Sequence, residues 1–472
     1  MGQTAWEQSK QSKLRGYVRR RPEETILYRL IYHHRDALEQ QWEDLFQEWY
    51  GSLRREVLQA FDRYLSCGIL THGCARARCE QCNHSMLIAF SCKQRCLCPS
   101  CDTLRSLLFA EHLHSNVLLP YPHRHVVWSI PKRLRVYFRY DRALTKHLYT
   151  AAWNAWRDAA SDLLPGFQTG AVMALHTAGD LLNFHPHVHS LCLDGSVDES
   201  GAFHQLPAID TEQIAASFAE KVFQFLLDAE LITEDVAENM KSWEHSGFNV
   251  YSAESTPAEN TDARLFLARY LKRSPLALER MSLIEAEPEP TIRIVKKLDD
   301  SESTRELSPL EFLAEVQQHI PNTWEQTTRY FGMYAARTRG KERLEREWKQ
   351  KFESKTSINF FSSDSSDFSA VDNTSTAEPT PKASRSWAAM IKRIYEIDPL
   401  VCEKCGGQMK IIAFMQQQRE IEKICDNLGY PRYRAPPPLG NVSPSSEFKL
   451  VPLFDDWLRE TSNSFEQDWP AE

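Results

Sequence analysis

At 472 residues the chain exceeds what one hydrophobic core usually organises, and 42% hydrophobic with 11% aromatic content excludes a disordered chain, so two or three folded units are expected. No apolar run approaches the roughly 20 residues that span a bilayer, and Met1-Gly2-Gln3-Thr4-Ala5-Trp6 lacks the apolar core of a secretory leader. The expectation is therefore a cytoplasmic protein with reduced thiols and no membrane partner.

The net charge of -8 argues against indiscriminate nucleic-acid binding, but it hides a split: Pro131 to Lys146 carries six bases and one acid, the last twenty residues six acids and one base. From Ile26 to Leu65 apolar residues recur at helical spacing (Leu27, Leu30, Ile31, Leu38, then Trp42, Leu45, Phe46, Val57, Phe61), which predicts two or three helices ended near Gly68. Eight of the twelve cysteines then fall between Cys67 and Cys101, a stretch that something other than an apolar core must organise. Cys79-x-x-Cys82 stands fifteen residues before Cys98-x-x-Cys101, the spacing of a four-cysteine zinc site in which each two-residue gap lets both thiolates face one ion. Four sulfurs close the coordination shell, so a Zn²⁺ held this way is structural. Cys67, Cys74, Cys92 and Cys96 are alternatives for one of the four, or ligands of a second ion. Arg76, Arg78, Lys93, Arg95 and Arg105 interleave with the cysteines, and a zinc-ordered basic surface of this kind suits DNA.

His125 to Ile130 reads as a strand ended by Pro131, followed by Lys132, Arg133 and Arg135 as phosphate contacts and Tyr137, Phe138 and Tyr140 as stacking partners for unpaired bases. Leu144 to Ala160 reads as a helix, Gly170 to His176 and His187 to Leu193 as strands across a polar turn, and Thr211 to Ala229 and Asp262 to Tyr270 as helices. That order predicts an α+β domain with a largely antiparallel sheet. His185-Pro186-His187-Val188-His189 puts imidazoles at alternate positions, so in an extended chain all three project from one face. Neutral imidazoles take a divalent ion that can polarise a phosphoryl oxygen, which makes His185, His187 and His189 candidate ligands. Hydrolases of the metallo-β-lactamase kind continue a His-x-His pair with Asp-His, whereas Ser190, Leu191 and Cys192 follow here, which sets the chain apart from them.

Covalent phosphoryl transfer needs a hydroxyl held in line with the scissile bond. Tyr270 is one candidate, flanked by Arg269, Lys272 and Arg273 on a helix closed by Pro275; Tyr330 and Tyr334, four residues apart and so on one helix face, are the other. Composition does not choose between them. Ser354 to Ser386 is dominated by serine, threonine and aspartate and reads as a flexible linker. In the small unit after it, Cys402-x-x-Cys405 is a single knuckle with only two ligands, to which Cys425 could add a third; two surface thiols are the equal alternative.

Together, Phe90-Ser91-Cys92-Lys93 with Cys98-Pro99-Ser100-Cys101, Phe184 to Ser190, Ser308 to Ala314 and Asp398 to Cys402 resemble the HUH transposases of rolling-circle insertion sequences, in the group that includes the ISCR elements. The resemblance runs from Tyr64 to about Gly340 and again from Ile394 to Pro438. It implies an HUH endonuclease domain whose histidine pair is His187 and His189, a catalytic Mg²⁺ or Mn²⁺, a zinc-binding domain, and a catalytic helix over Leu267 to Arg280 with Tyr270 as nucleophile. Members with two tyrosines carry the second four residues on, where this chain has Ser274, so it looks like a one-tyrosine member. With one tyrosine, either the free 3′-hydroxyl or a second subunit of a homodimer completes strand exchange. The implied function is nicking and rejoining of single-stranded DNA at element ends through a 5′-phosphotyrosine. A zinc-dependent DNA-binding protein without nuclease activity, and an HUH nickase of plasmid replication or relaxation, are the alternatives. The expected division is a helical and zinc-binding part over 22–112, a catalytic domain over 113–345, the linker over 354–386, a small unit over 387–438 and an acidic tail over 439–472.

Overall fold

A threonine cap starts the first helix: the Thr25 hydroxyl accepts the Tyr28 N–H, and α1 (Ile26–Leu45) follows with Leu27, Leu30, Ile31, Leu38 and Trp42 buried on one stripe. Val57, Phe61 and Tyr64 of α2 (Arg55–Leu65) complete that stripe's core. β1 (Cys74–Cys79) and β2 (Ser85–Ala89) form an antiparallel hairpin, and α3 (Pro99–Asn116) leaves the cysteine-rich stretch with proline in its first turn, where the missing N–H costs nothing. The structure, a computed structural model, describes residues 21–244, 246–284, 290–297, 302–340, 401–437 and 439. The expected linker and all but the first residue of the acidic tail lie outside the described residues.

The central unit comprises β3 (His123–Ser129), α4 (Thr145–Leu163), β4 (Gly170–Ala178), β5 (Phe184–Leu193), α5 (Thr211–Asp228), β6 (Asn249–Thr256) and α6 (Thr261–Tyr270). A meander of β7 (Met281–Ile284), β8 (Thr291–Lys297) and β9 (Glu302–Leu307) then leads into α7 (Pro309–His319), whose start is a capping box between Ser308 and Glu311. β10 (Thr328–Gly332) returns to the main sheet. That sheet has the order β10-β4-β5-β3-β6 and is antiparallel throughout. The expected α+β class with antiparallel sheets is what the chain forms.

The period of two sorts the sheet's residues between two covered faces. On one, Val126, Trp128, Met173, Leu175, Val188 and Cys192 pack on Ala152 and Trp156 of α4 and Phe218 and Val222 of α5. Trp128 Nε1 donates to Ser190 Oγ at 2.8 Å within that layer. On the other, Val172, Ala174, Leu191 and Leu193 meet Ala110 and Leu113 of α3 and Leu267 and Ala268 of α6. Covered twice, β5 is buried along its whole length, and its histidines with it.

Three expectations are corrected. Tyr330 and Tyr334 do not share a helix: Thr328–Gly332 is β10, where β-favouring aromatics pair along the free edge of β4 with Tyr330 opposite Val172. At its end Gly332 takes a positive φ of 56°, and a Cβ there would collide with the Thr169 carbonyl. Second, the described part of the C-terminal unit is not separate. β11 (Met409–Met415) pairs with β1 from Cys74 opposite Met415 to Cys79 opposite Met409, completing a sheet of order β11-β1-β2. α8 (Gln418–Leu428) lays Ile421 and Cys425 on Leu70, Cys74 and Leu87. Third, packing does not break near residue 112, because Leu276, Ile292, Phe312, Leu313 and Val316 share one apolar cluster with Leu27, Leu30 and Phe61.

Three arginines bind the loop after α7 to the rest. Arg54 Nη1 donates to Asn322 Oδ1 at 2.6 Å, Arg95 Nη1 to the Glu325 carbonyl at 2.7 Å, and Arg142 Nη2 to Glu325 Oε1 at 2.9 Å. Arg95, expected on a DNA-binding surface, is thus engaged in structure. Among the described residues no helix is long and apolar enough to cross a membrane.

Candidate active site and zinc centres

The register of β4 and β5 sets His176 directly opposite His187, with His189 two residues further along the same face of β5. One ring nitrogen from each of His176, His187 and His189 lies within 4.8 Å of the other two. His187 and His189 come together as the alternation implies, but His185 is not the third member. Between His176 and Ala178 the pairing slips by one residue, so that Ala178 faces Phe184 and the His185 ring is left beside His187, 4.9 Å between centroids. The His185 carbonyl instead accepts the His187 Nδ1 proton at 2.7 Å, which leaves Nε2 of His187 to offer its lone pair.

The other two rings are oriented in the same way. His189 Nδ1 lies 3.1 Å from His125 Nε2 with the rings stacked, and His176 Nε2 reaches the Leu271 carbonyl at 3.4 Å. Outer partners of this kind hold a ligating imidazole in one tautomer and direction. Burial, then the neighbouring rings, push His176 and His189 well below the ordinary histidine pKa, and burial takes His125 to about 4. All three are neutral at pH 7, the form that binds metal. Three converging imidazole nitrogens, from His176, His187 and His189, fit a divalent ion and leave coordination positions for a substrate.

α6 ends at Tyr270, whose ring stands edge-on to His125 at 5.6 Å and His189 at 5.1 Å between centroids, and 6.3 Å from His176. The Arg273 guanidinium lies 5.5 Å over the same ring. The helix does not continue to Pro275, and Ser274 is not one turn further on the same face; its Oγ accepts the Leu276 N–H at 3.4 Å. Of the flanking cations, Arg273 is exposed and Arg269 half-buried, whereas Lys272 turns inward, donating to Thr327 Oγ1 at 3.0 Å and lying over Phe109. Burial lowers the Lys272 pKa to about 8. Tyr330 is half-buried under the Arg339 guanidinium, and Tyr334 is fully buried with its hydroxyl 2.6 Å from His123 Nε2.

The cysteines gather in two sets of four, each with its sulfurs within 4.8 Å of one another. Cys67 joins Cys92, Cys98 and Cys101, with sulfur separations of 3.7 Å to Cys98 and 3.9 Å to Cys101, and 3.7 Å between Cys92 and Cys101. Cys79 and Cys82 join Cys405 and Cys402 at 3.5 and 3.6 Å. The expected group of Cys79, Cys82, Cys98 and Cys101 does not form, because the β1–β2 hairpin carries the first knuckle away from the start of α3, which holds Cys98 and Cys101 against the end of α2. Four sulfurs each about 2.3 Å from one ion lie about 3.8 Å apart. The thiols already stand at that spacing, and four soft donors suit Zn²⁺. Cys425 packs with Cys74 in an apolar cluster, and burial pushes the Cys96 thiol up to about 12.

Residues 37–130 match the family described as "Transposase zinc-binding domain", and residues 170–342 the one described as "Putative transposase". Over 388 residues, 78% of this chain and 86% of the relative, the chain is 26% identical to the transposase for insertion sequence element IS801 of Pseudomonas savastanoi pv. phaseolicola. The chain belongs to the IS91 family of transposases. A shorter similarity, 30% identity over 125 residues, links 26% of it to 31% of the protein named "Putative transposase y4qJ" of Sinorhizobium fredii (strain NBRC 101917 / NGR234). No solved structure matches the chain.

In the transposase the expected phosphate contacts divide. Lys132 and Arg133 are exposed at a recess of about 540 Å³ that Pro131, Arg135, Trp243 and Gly247 also line. Arg135 itself is buried, donating to the Ile130 carbonyl at 3.4 Å. Of the expected stacking aromatics, Phe138 belongs to the core and Tyr140 donates its hydroxyl to the Glu48 carbonyl. The aromatic beside the exposed bases is Trp243, with the Arg133 guanidinium 5.9 Å from its ring. Its signal in the sequence is a bulky ring in the polar run Lys241-Ser242-Trp243-Glu244. His125 and His176, also missed, sit on strands the sequence predicts; their convergence depends on which strands pair, and in what register.

Proposed function

We propose that this transposase nicks and rejoins single-stranded DNA at the ends of its element through a 5′-phosphotyrosine on Tyr270. The observation that carries this reading is the Tyr270 ring, within 5.1 Å of His189 between centroids, at the edge of three converging imidazoles. A divalent ion such as Mg²⁺ or Mn²⁺, bound by His176, His187 and His189, would polarise the scissile phosphate. The Tyr270 oxygen attacks phosphorus, loses its proton, and forms the tyrosine–phosphorus bond as the bond to the 3′-oxygen breaks and a free 3′-hydroxyl leaves. The new link keeps the phosphodiester's energy, so a later attack by a 3′-hydroxyl reseals the strand without ATP. Arg273, over the tyrosine ring, is positioned to hold the phosphate, and Lys132, Arg133 and Trp243 offer charge and a stacking face to the strand beyond it.

Full-length protein incubated with labelled single-stranded oligonucleotides from the element's ends is expected to form a covalent adduct only with Mg²⁺ or Mn²⁺. Tyr270→Phe should bind the oligonucleotide and form none, while Tyr330→Phe keeps the adduct. An adduct formed by Tyr270→Phe would refute the assignment, and no adduct from the wild type under any divalent ion would favour a DNA-binding protein without nuclease activity.

A further inference from the structure

We propose that Cys79, Cys82, Cys402 and Cys405 hold a second structural Zn²⁺ that clasps residues 401–437 onto the zinc-binding module, so that the module is built from both halves of the chain. The family match for that module spans residues 37–130 and contains only two of these four thiols.

The two knuckles have the same backbone. In one, the Cys79 N–H donates to the His84 carbonyl at 2.8 Å and the Cys79 carbonyl accepts the Asn83 N–H at 3.1 Å. In the other, the Cys402 N–H donates to the Gly407 carbonyl at 2.8 Å and the Cys402 carbonyl accepts the Gly406 N–H at 2.8 Å. Each closes with a left-handed residue directly after its second cysteine, Asn83 at φ 59° and Gly406 at φ 72°. Two equivalent knuckles thus face each other and present four thiols to one point, Cys79 near Cys405 and Cys82 near Cys402. They meet closely: a Cβ on Gly407 would strike the Gln81 side chain, and His84 pairs with Glu403 at 3.2 Å.

Apolar packing draws in Cys79 and Cys402, buried with Ala77, Met86, Ile88 and Met409, but not Cys82 and Cys405, which are exposed and still converge on the same point. A tetrahedral ion accounts for all four, since each knuckle supplies two ligands and neither suffices alone. Binding replaces the thiol protons, which go to solvent. The link joins positions 320 apart in sequence, where a crosslink removes much freedom from the unfolded chain. This inference is independent of the nicking chemistry.

Full-length protein, purified with Zn²⁺ and freed of excess by gel filtration, is expected to release two zinc ions per chain when its thiols are titrated with an organomercurial, which counts sulfur-bound zinc and not an ion held by the histidines. Cys402→Ser with Cys405→Ser should halve that number, whereas Cys425→Ser leaves it unchanged. The wild-type chain supplies a test that needs no variant to fold: Cys82 and Cys405, although exposed, should resist alkylation until a chelator is added and be modified readily afterwards. One ion released per wild-type chain, two ions released by the double variant, or alkylation of Cys82 and Cys405 at the same rate before and after chelation would each overturn the clasp.

Discussion

His189 has a buried ring with both nitrogens committed, one facing His176 and His187 and the other against His125. On the proposed chemistry this sorts the histidines by effect. His176→Ala should abolish metal-dependent nicking as fully as His187→Ala, although His176 lies outside the alternating motif. His185→Ala should be much milder, because His185 contributes its carbonyl, which any residue has. His125→Phe keeps the ring volume but removes the partner of His189 and is expected to weaken Mn²⁺ binding by about 10- to 100-fold. Calorimetric titration of the four variants with Mn²⁺ checks the order; equal loss in His185→Ala and His176→Ala would contradict it.

At the scale of elements, α7 is pinned to the β4–β5 turn through its last residue. His319 Nδ1 accepts from the Thr177 hydroxyl at 3.0 Å and its Nε2–H donates to the Leu182 carbonyl at 3.2 Å, while burial lowers its pKa to about 3. The folded state therefore refuses a proton that the unfolded chain takes near pH 6.5. The stability from a neutral His319 is fully present above that pH and falls by about 1.4 kcal/mol per unit as pH drops toward 3. His319→Gln lacks this term, so in urea unfolding the wild type's advantage over the variant should shrink by about 2 kcal/mol between pH 7 and pH 5. An advantage independent of pH would show that His319 titrates normally.

The same scale shows what could be read from the sequence. Three of the five strands of the main sheet, β3, β4 and β5, and the helices α4, α5 and α6 are visible in periodicity, because each pattern is set within ten or twenty residues; β6 is not, and the aromatic spacing of β10 reads as a helix face. His187 and His189 are visible for that reason too. The third ligand depends on a bulge between His176 and Ala178, and the partners of the cysteines depend on a strand more than 300 residues away pairing with β1. Spacing within one stretch favours Cys79, Cys82, Cys98 and Cys101, but each of those knuckles finds its partners elsewhere. Tyr270 follows from resemblance rather than spacing, and because α6 ends there, Ser274 does not stand one turn further along the same helix face.

Over the whole molecule, the loop after α7 is where the helical, zinc-binding and catalytic parts meet, and its main ionic tie is Glu325 with Arg142. Burial raises the Glu325 pKa, but the Arg142 bonds outweigh it and hold the carboxylate below its usual range. Its contribution is thus present above the unfolded carboxylate pKa and lost as pH falls through the folded one. Both side chains are largely buried, so Glu325→Gln, which leaves the Arg142 charge without its counter-ion, is expected to cost about 3 kcal/mol in urea unfolding at pH 7. A loss within a few tenths of that expected of a surface change would contradict the clamp.

The most direct test of the central claim is to form the adduct between the wild-type chain and an element-end oligonucleotide in Mn²⁺, digest it, and map the modified peptide. The nucleotide should be attached to Tyr270 through a 5′-phosphate. Attachment at Tyr330, Tyr334 or any other residue, or through a 3′-phosphate, would contradict the account.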